Sequence, residues 1–273
     1  MAETFRVACV QNCAERDMAP SIAALEPMIR GAAGEGARLI VLPEMATMLE
    51  PQNPKVLEKA VAEESDPGLA RFRDLARETG TWILVGSLLI KVPGENRVAN
   101  RSYMIDPKGA IAARYDKLHL FDVDLATGET YRESATVKAG AAAVLAPSPW
   151  GPIGMSVCYD LRFADQYWGA ATGTDLYIVV ANWPASRRHH WRSLLVARAI
   201  ENQAYVIGVN RVGTGGKETY AGDSCIIDPL GEVLVHAAGI ETIVSAGIDP
   251  AVVSATRAKY PFLADRVPVT FRG

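Results

Sequence analysis

The sequence lacks a long apolar run. Its most apolar window, residues 82–90, is nine residues long and contains Gly86 and Ser87, whereas a helix needs about 20 apolar residues to cross a bilayer. The N-terminal segment also lacks the apolar stretch of a signal peptide, because Glu3 and Arg6 interrupt it. These absences predict a cytoplasmic protein with no transmembrane helix and no membrane partner.

Neither sign of charge is in excess. The chain has 28 Lys and Arg residues and 31 Asp and Glu residues, which give a formal net charge of −3. Bulk charge therefore gives no reason to expect a nucleic acid as a partner, and a small molecule is the expected one. A basic, aromatic cluster consists of Arg187, Arg188, His189, His190, Trp191 and Arg192. We interpret it as a helix packing face with arginines in solvent or at the edge of a pocket.

Cysteine and histidine are scarce. The four cysteines are Cys9, Cys13, Cys158 and Cys225, and no CxxC pair occurs, so we expect reduced thiols rather than a disulfide framework. With only four histidines, a zinc site would need an unusual mix of ligands at unfavourable spacing. We therefore expect no metal and no cofactor.

The composition that remains is typical of a globular protein. The chain has 273 residues, of which 49% are hydrophobic and 22% are charged, and this length is enough to bury a substantial core. No linker, low-complexity segment or charge run divides it. We predict a single domain over residues 1–273.

Short apolar runs alternate with amphipathic or Ala-rich stretches, which is typical of an α/β protein. The predicted strands are residues 5–11, 39–42, 81–90, 103–105, 153–157, 176–181, 206–210, 226–227 and 242–248. The predicted helices are residues 21–33, 67–79 and 188–202. Asp66 is a suitable N-cap for the second helix, with Pro67 at its first position.

Residues 102–109 and 224–231 resemble each other. Both contain the pattern Asp-Pro-x-Gly, and both are followed by a second apolar run. Proline at the second turn position and glycine at the fourth suit a type I turn, which predicts two hairpins. We therefore expect an approximate internal twofold, with two sheets and helices packed outside them.

Three chemically useful residues follow predicted strands: Glu44, Lys117 and Cys158. A strand-to-helix turn can project the Cys158 thiol into a cleft while nearby N–H groups form an oxyanion hole. The Lys117 ammonium would stabilise a thiolate. The Glu44 carboxylate would lie at the rim of a sheet, where α/β sites commonly form.

Each of these residues also has an ordinary structural interpretation. Cys158 can be a small buried hydrophobe, and Glu44 and Lys117 can be solvated. The usual activator of a thiol is histidine, so His119 or the His189–His190 pair would make a Cys/His hydrolase. The residues alone leave these alternatives open.

Taken together, the three segments resemble the nitrilase superfamily of carbon–nitrogen hydrolases, whose hallmark is a Glu-Lys-Cys triad in that chain order. The segments are LPE at 42–44, YDKLHLF at 115–121 and VCYDLRF at 157–163, and the three polar residues are separated by 73 and 41 residues. Similarity continues in VACVQ at 7–11, ANWP at 181–184, ARAIENQ at 197–203 and GVNR at 208–211. The HLFDVD and YRES segments look like the Nit-type amidases, which include omega-amidase and deaminated glutathione amidase.

The resemblance implies an αββα sandwich of two mixed sheets with outer helices, assembled as a homodimer or a higher homo-oligomer. It also implies an amidase in which Glu44 moves the proton and Cys158 forms a thioester. Lys117 and the backbone N–H of Tyr159 would hold the oxyanion. Glu133, in the YRES segment, looks like the family's second glutamate, which positions substrate or water.

The implied substrates carry a carboxylate far from the scissile bond, so a guanidinium is expected near the nucleophile. Arg162 is the first choice, and the alternative is a structural salt bridge to Asp160 or Asp165. Asn182 and Trp183 are expected to line the pocket. Other possibilities are a deaminated glutathione amidase, a nitrilase or carbamoylase, and a catalytically idle scaffold protein.

Overall fold

The computed structural model describes residues 3–267 except 125 and 127, together with residue 270. The described helices are α1 (Met18–Gly34), α2 (Asn53–Lys59), α3 (Pro67–Thr79), α4 (Ala164–Trp168), α5 (Arg188–Asn202) and α6 (Pro250–Lys259). The described strands are β1 (Phe5–Gln11), β2 (Ala37–Val41), β3 (Trp82–Lys91), β4 (Val98–Ile105), β5 (Ile111–Asp116), β6 (Asp122–Asp124), β7 (Thr130–Arg132), β8 (Val137–Lys138), β9 (Val144–Ala146), β10 (Ile153–Val157), β11 (Leu176–Ala181), β12 (Tyr205–Asn210), β13 (Val212–Gly215), β14 (Glu218–Ala221), β15 (Cys225–Ile227), β16 (Val233–His236) and β17 (Thr242–Ile248). The ends of the predicted domain, residues 1–2, 268–269 and 271–273, lie outside the described residues.

The two large sheets have the same internal order. One runs β17-β1-β2-β3-β4-β5, with β8 beside β4, and the other runs β9-β10-β11-β12-β15-β16. In each sheet three neighbouring strands are parallel, two antiparallel strands follow, and one antiparallel strand borders the other side. Both sheets are therefore mixed, and their matching order agrees with the expected internal twofold.

Side chains alternate between the two faces of each sheet, as the period of two along a strand requires. In β1, Val7 and Cys9 point into an apolar core shared with Val157 and Ile178 of the other sheet. The opposite face of the first sheet packs against α1 and α3, and the opposite face of the second packs against α5. The result is the predicted αββα sandwich.

The two Asp-Pro-x-Gly segments form equivalent hairpin turns between β4 and β5 and between β15 and β16. In the first, the N–H of Gly109 donates to the Asp106 carbonyl at 2.9 Å, and in the second Gly231 donates to Asp228 at 3.0 Å. The Asp106 and Asp228 side chains each accept two further backbone N–H groups. The prediction of paired hairpins is confirmed.

The predicted helix bounds agree with the structure for α3 and α5, and α1 is longer than predicted. The Asp66 carboxylate accepts the Leu69 N–H at 2.8 Å, which confirms it as the N-cap of α3. Helices α2, α4 and α6 and strands β6 to β9, β13 and β14 were not predicted, because each is too short to display a clear hydrophobic period. No helix of the described part of the chain is long and apolar enough to span a bilayer.

Candidate active site

Glu44 lies in the loop after β2, where the backbones of two neighbouring strands come very close. A Cβ atom on Gly86 of β3 would lie 2.1 Å from the Leu42 carbonyl oxygen and 2.3 Å from that of Pro43. Only glycine fits at residue 86 without a shift of this backbone. The close approach holds the residues before Glu44 against the sheet, and the Glu44 side chain is 2% exposed.

Cys158 begins a tight turn directly after β10. Its φ angle is +50°, in the left-handed region that residues with side chains rarely adopt. Such a sharp strand-to-turn transition is typical of a nucleophile held above the end of a sheet. The structure therefore places the thiol where the sequence predicts a reactive group.

Glu44, Lys117 and Glu133 form one buried ionic cluster. The Lys117 ammonium lies 3.1 Å from Glu44 Oε1 and 2.9 Å from each carboxylate oxygen of Glu133. Glu133 Oε2 also accepts the Phe121 N–H at 2.7 Å. Two carboxylates thus share the three N–H donors of one ammonium.

The electrostatic environment keeps Lys117 protonated. Burial by itself lowers the pKa of the ammonium, but the carboxylates of Glu133 and Glu44 outweigh burial and raise this pKa well above its usual value. A permanently charged ammonium beside Cys158 is suited to stabilising negative charge that develops on a substrate oxygen.

The Cys158 thiol and the Glu44 carboxylate line the same cavity, and the two groups interact electrostatically. Burial raises the pKa of the thiol well above its usual value, and the Glu44 charge raises it further, while Lys117 opposes the change. The resting thiol is therefore protonated at neutral pH. Its reaction with an electrophile requires a base, and Glu44 is the adjacent carboxylate.

The Glu44 carboxylate also connects the two sheets. Its Oε2 accepts the backbone N–H of Asn182, the residue after β11, at 2.7 Å. Its Oε1 accepts the side-chain amide of Asn100, in β4, at 2.8 Å. Asn100 is fully buried, and its role was missed in the sequence because a polar residue inside a strand carries no pattern of its own.

Asp160 joins the Cys158 turn to the Lys117 loop. Its fully buried carboxylate accepts the Tyr115 hydroxyl at 2.5 Å, the Val157 N–H at 2.9 Å, and both the N–H and Nδ1 of His119 at 2.9 and 2.8 Å. Sequence reasoning missed this role. The signal that could have indicated it is the position of Asp160 in the CYD segment, two residues after Cys158.

Replacing Asp160 with alanine is expected to lower the free energy of unfolding by about 3–5 kcal/mol, because it leaves several buried donors without an acceptor. Urea unfolding followed by circular dichroism measures this loss. Asp165→Ala is the matched control, since Asp165 is exposed on the next turn. Equal stability of the two variants would contradict the joining role of Asp160.

A cavity of about 440 Å³ opens above the Cys158 turn. All eight residues singled out in the sequence are among those that line it: Glu44, Lys117, Glu133, Cys158, Tyr159, Arg162, Asn182 and Trp183. Both amide atoms of the Asn182 side chain are buried without a hydrogen-bond partner, so they are available to a ligand. Sequence reasoning missed further lining residues of the β6–β7 and β13–β14 hairpins, among them Tyr131, Glu218 and Tyr220.

Arg162 does not form the salt bridge considered as its alternative. Its guanidinium lies 4.7 Å from the centre of the Trp183 ring, and one nitrogen lies 3.2 Å from Nδ1 of His190. Asp160 is occupied by the contacts described above, and no ion pair joins Arg162 to Asp165 among the described residues. The guanidinium therefore faces the cavity without a carboxylate partner in the described part of the chain.

The described histidines lie outside the cavity lining. His119 binds Asp160 and stacks on Phe163 with a centroid distance of 3.7 Å, and His190 contacts Arg162. No described histidine lines the cavity. The Cys/His hydrolase that the residues left open has no support in this geometry.

Comparison with known proteins identifies the family of the chain. The family model for carbon–nitrogen hydrolases matches residues 6–258. The chain is 34% identical to a deaminated glutathione amidase of Synechocystis over 96% of this chain and 98% of the relative. It is 36% identical to the omega-amidase YafV of Escherichia coli over 84% of each chain. A CN-hydrolase superfamily protein of Xanthomonas campestris, XC1258, superposes with a TM-score of 0.86 at 32% identity, covering 99% of this chain and 100% of that one. The chain therefore belongs to the carbon–nitrogen hydrolase family and is an amidase of the nitrilase superfamily.

Proposed function

We propose that the protein hydrolyses small carboxylate-bearing amides, of the omega-amidase type, through a thioester on Cys158. The observation that carries this proposal is the single cavity lined by Cys158, Glu44, Lys117 and Glu133, in which the Lys117 ammonium contacts both carboxylates. A base, a cationic donor and a nucleophile thus lie at one end of the cavity.

In the first half of the reaction the thiol adds to the amide carbonyl as Glu44 takes its proton. Lys117 and the backbone N–H of Tyr159 stabilise the oxyanion, and such a donor contributes on the order of 3 kcal/mol. The carbon–nitrogen bond breaks as Glu44 returns the proton to the nitrogen, because an amine is a poor leaving group unless it is protonated.

In the second half, water adds to the thioester carbonyl and releases the acid and the free thiol. A carboxylate must take a proton from this water, and Glu44 serves again once the amine has left. Glu133 holds Lys117 from the other side, and its carboxylate faces the cavity, where it positions substrate or water.

Substrate selection follows from charge. Arg162 faces the cavity four residues after the nucleophile and has no carboxylate partner among the described residues. A guanidinium binds a carboxylate through two parallel hydrogen bonds, so Arg162 takes the carboxylate of the acyl part. Asn182 and Trp183 complete the wall around it.

The test is product release by the purified protein from 2-oxoglutaramate, succinamate, deaminated glutathione and an aliphatic nitrile. We expect ammonia from the first two and an acyl adduct on Cys158, detected by mass spectrometry after rapid acid quench. Preference for deaminated glutathione would identify the alternative amidase with the same chemistry. Consumption of the nitrile without amide hydrolysis, or no reaction with any of the four, would contradict the proposal and favour a nitrilase or a scaffold protein.

We further propose that the enzyme is a cytoplasmic homodimer whose single domain spans the chain. Support for one domain comes from the apolar core between the sheets, to which both halves of the sequence contribute. Support for the dimer and for the location comes from the family resemblance and from the composition. Light scattering of the purified protein tests the oligomeric state.

A further inference from the structure

The two carboxylate oxygens of Glu44 are not equally occupied. Its Oε1 accepts the Asn100 amide at 2.8 Å and the Lys117 ammonium at 3.1 Å, and these two donors use both lone pairs of that oxygen. Its Oε2 accepts one group among the described residues, the Asn182 N–H at 2.7 Å. Oε2 is therefore the oxygen with a lone pair left for a proton, first from the Cys158 thiol and later from water.

Tyr220 lies beside the segment that binds this oxygen. It is part of β14 and forms an antiparallel bridge with Pro184, two residues after Asn182. Tyr220, Glu44 and Cys158 all line the cavity, and the charges of Glu44 and Cys158 act on the Tyr220 hydroxyl. The tyrosine therefore belongs to the part of the cavity wall next to the base and the nucleophile.

A buried arginine fixes the Tyr220 ring from behind. Arg211 is 1% exposed, and its guanidinium carbon lies 4.6 Å from the centre of the ring. The Nη2 atom of Arg211 donates to the carbonyls of Ala14 and Thr214 at 3.3 and 3.2 Å. A Cβ atom on Gly215 would lie 2.6 Å from Nη1 of Arg211, so glycine at this position leaves room for the stack. A cation over an aromatic face is attracted to its π electrons, and this contact gives the ring a defined orientation.

The Tyr220 hydroxyl has no hydrogen-bond partner among the described residues, although Tyr220 is only 9% exposed. Burial raises the pKa of this hydroxyl above its usual range, Arg211 opposes the change, and the charge of Glu218 adds to it. The hydroxyl therefore keeps its proton at neutral pH and is a donor without an acceptor in the described part of the protein. Because buried polar groups in folded proteins are hydrogen-bonded, water or a ligand in the cavity is the expected acceptor.

We propose that Tyr220 is a further catalytic residue, whose hydroxyl positions the water that hydrolyses the Cys158 thioester. This inference rests on the proposed function, because it concerns the second half of that reaction. The hydroxyl donates to one lone pair of the water, and one water proton points to Oε2 of Glu44. The other lone pair adds to the thioester carbonyl as Glu44 takes that proton. The carbon–sulfur bond then breaks, the Cys158 sulfur takes the proton from Glu44, and the carboxylic acid leaves.

The test uses succinamate and monomethyl succinate, which form the same succinyl thioester on Cys158 with different leaving groups. With the enzyme in excess over the substrate, mass spectrometry after rapid acid quench measures the rise and the decay of the acyl adduct separately. Tyr220→Phe removes only the hydroxyl. We expect the decay to become about 10-fold slower, the usual effect of losing one hydrogen bond, while the rise stays unchanged. In the steady state with the ester, kcat and KM then fall together and kcat/KM is unchanged, a pattern that a merely structural role of Tyr220 does not produce.

Tyr131→Phe is the matched control, since Tyr131 lines the same cavity but donates its hydroxyl to Glu218. It keeps both rates. An unchanged decay in Tyr220→Phe, or a decay slowed equally in Tyr131→Phe, would overturn the inference while the proposed function stands. A slower rise in Tyr220→Phe would also overturn it, by showing that the hydroxyl acts on the substrate before the thioester forms. No acyl adduct on Cys158 of the wild-type enzyme with either substrate would overturn both.

Discussion

Cys158→Ala is expected to abolish amide hydrolysis, with a loss on the order of 10⁵-fold or more, as removal of a covalent nucleophile does in other hydrolases. The reason is geometric as well as chemical. The thiol lies at the start of the turn after β10 and lines the same cavity as Glu44, and water at that place lacks the nucleophilicity of sulfur. Steady-state release of ammonia from succinamate measures the loss.

The fold should survive this change. Alanine removes one atom from a residue whose left-handed backbone conformation is equally strained in both forms, so urea unfolding should change by less than about 1 kcal/mol. Cys225→Ala is the matched control, because Cys225 is a buried cysteine remote from the cavity lining. A Cys158→Ala enzyme with more than about one hundredth of wild-type activity would contradict the thioester mechanism.

Glu44→Gln is expected to lower kcat by about 10²- to 10⁴-fold, which is the usual contribution of a general acid–base group. Burial and the Glu44 charge raise the pKa of the Cys158 thiol, so the thiol stays protonated in the resting enzyme and depends on a base. Glutamine retains the shape of the side chain but accepts no proton. The kcat of this variant should continue to rise with pH above neutrality, as hydroxide takes over the removal of the thiol proton.

Glu218→Gln separates this chemical effect from a general loss of negative charge. Glu218 lines the same cavity and accepts a hydrogen bond from the Tyr131 hydroxyl, but no contact joins it to Lys117 or Cys158 among the described residues. The kcat of the Glu218→Gln variant should remain within about threefold of the wild type, as expected for a substitution away from the reacting groups. Comparable losses in Glu44→Gln and Glu218→Gln would contradict the role of Glu44 as the base.

Much of the fold can be derived from the sequence because local physics determines it. Strands β1, β10, β11 and β17 have the predicted bounds, since each is a short run of mostly apolar residues. Helix α3 also has its predicted bounds, because Asp66 caps its first turn and Gly80 ends it with a left-handed backbone. The paired hairpins follow from turn chemistry in the same way.

The candidate site could be predicted from the sequence only in part. Glu44, Lys117 and Cys158 stand out in the sequence because each follows a strand and because their combination resembles a family motif. Only the tertiary structure shows what surrounds them. Asp160 joins two loops whose residues are 41 positions apart, and Asn182 reaches Glu44 from 138 positions away. Polar contacts of this kind follow no local period, so no pattern in the chain predicts them.

The pairing of the arginines with carboxylates is the clearest example of what the sequence leaves open and the tertiary structure decides. The sequence by itself predicted the chemistry, namely a nucleophile, a base, a cation and a guanidinium suited to a carboxylate. Arg132, Arg162 and Arg187 are equally charged in the sequence, and the tertiary structure decides that Asp124 neutralises the first while the other two face the cavity without a described carboxylate partner. The physical reason is that pairing depends on which loops meet in space, and long-range packing of the two sheets determines where those loops lie.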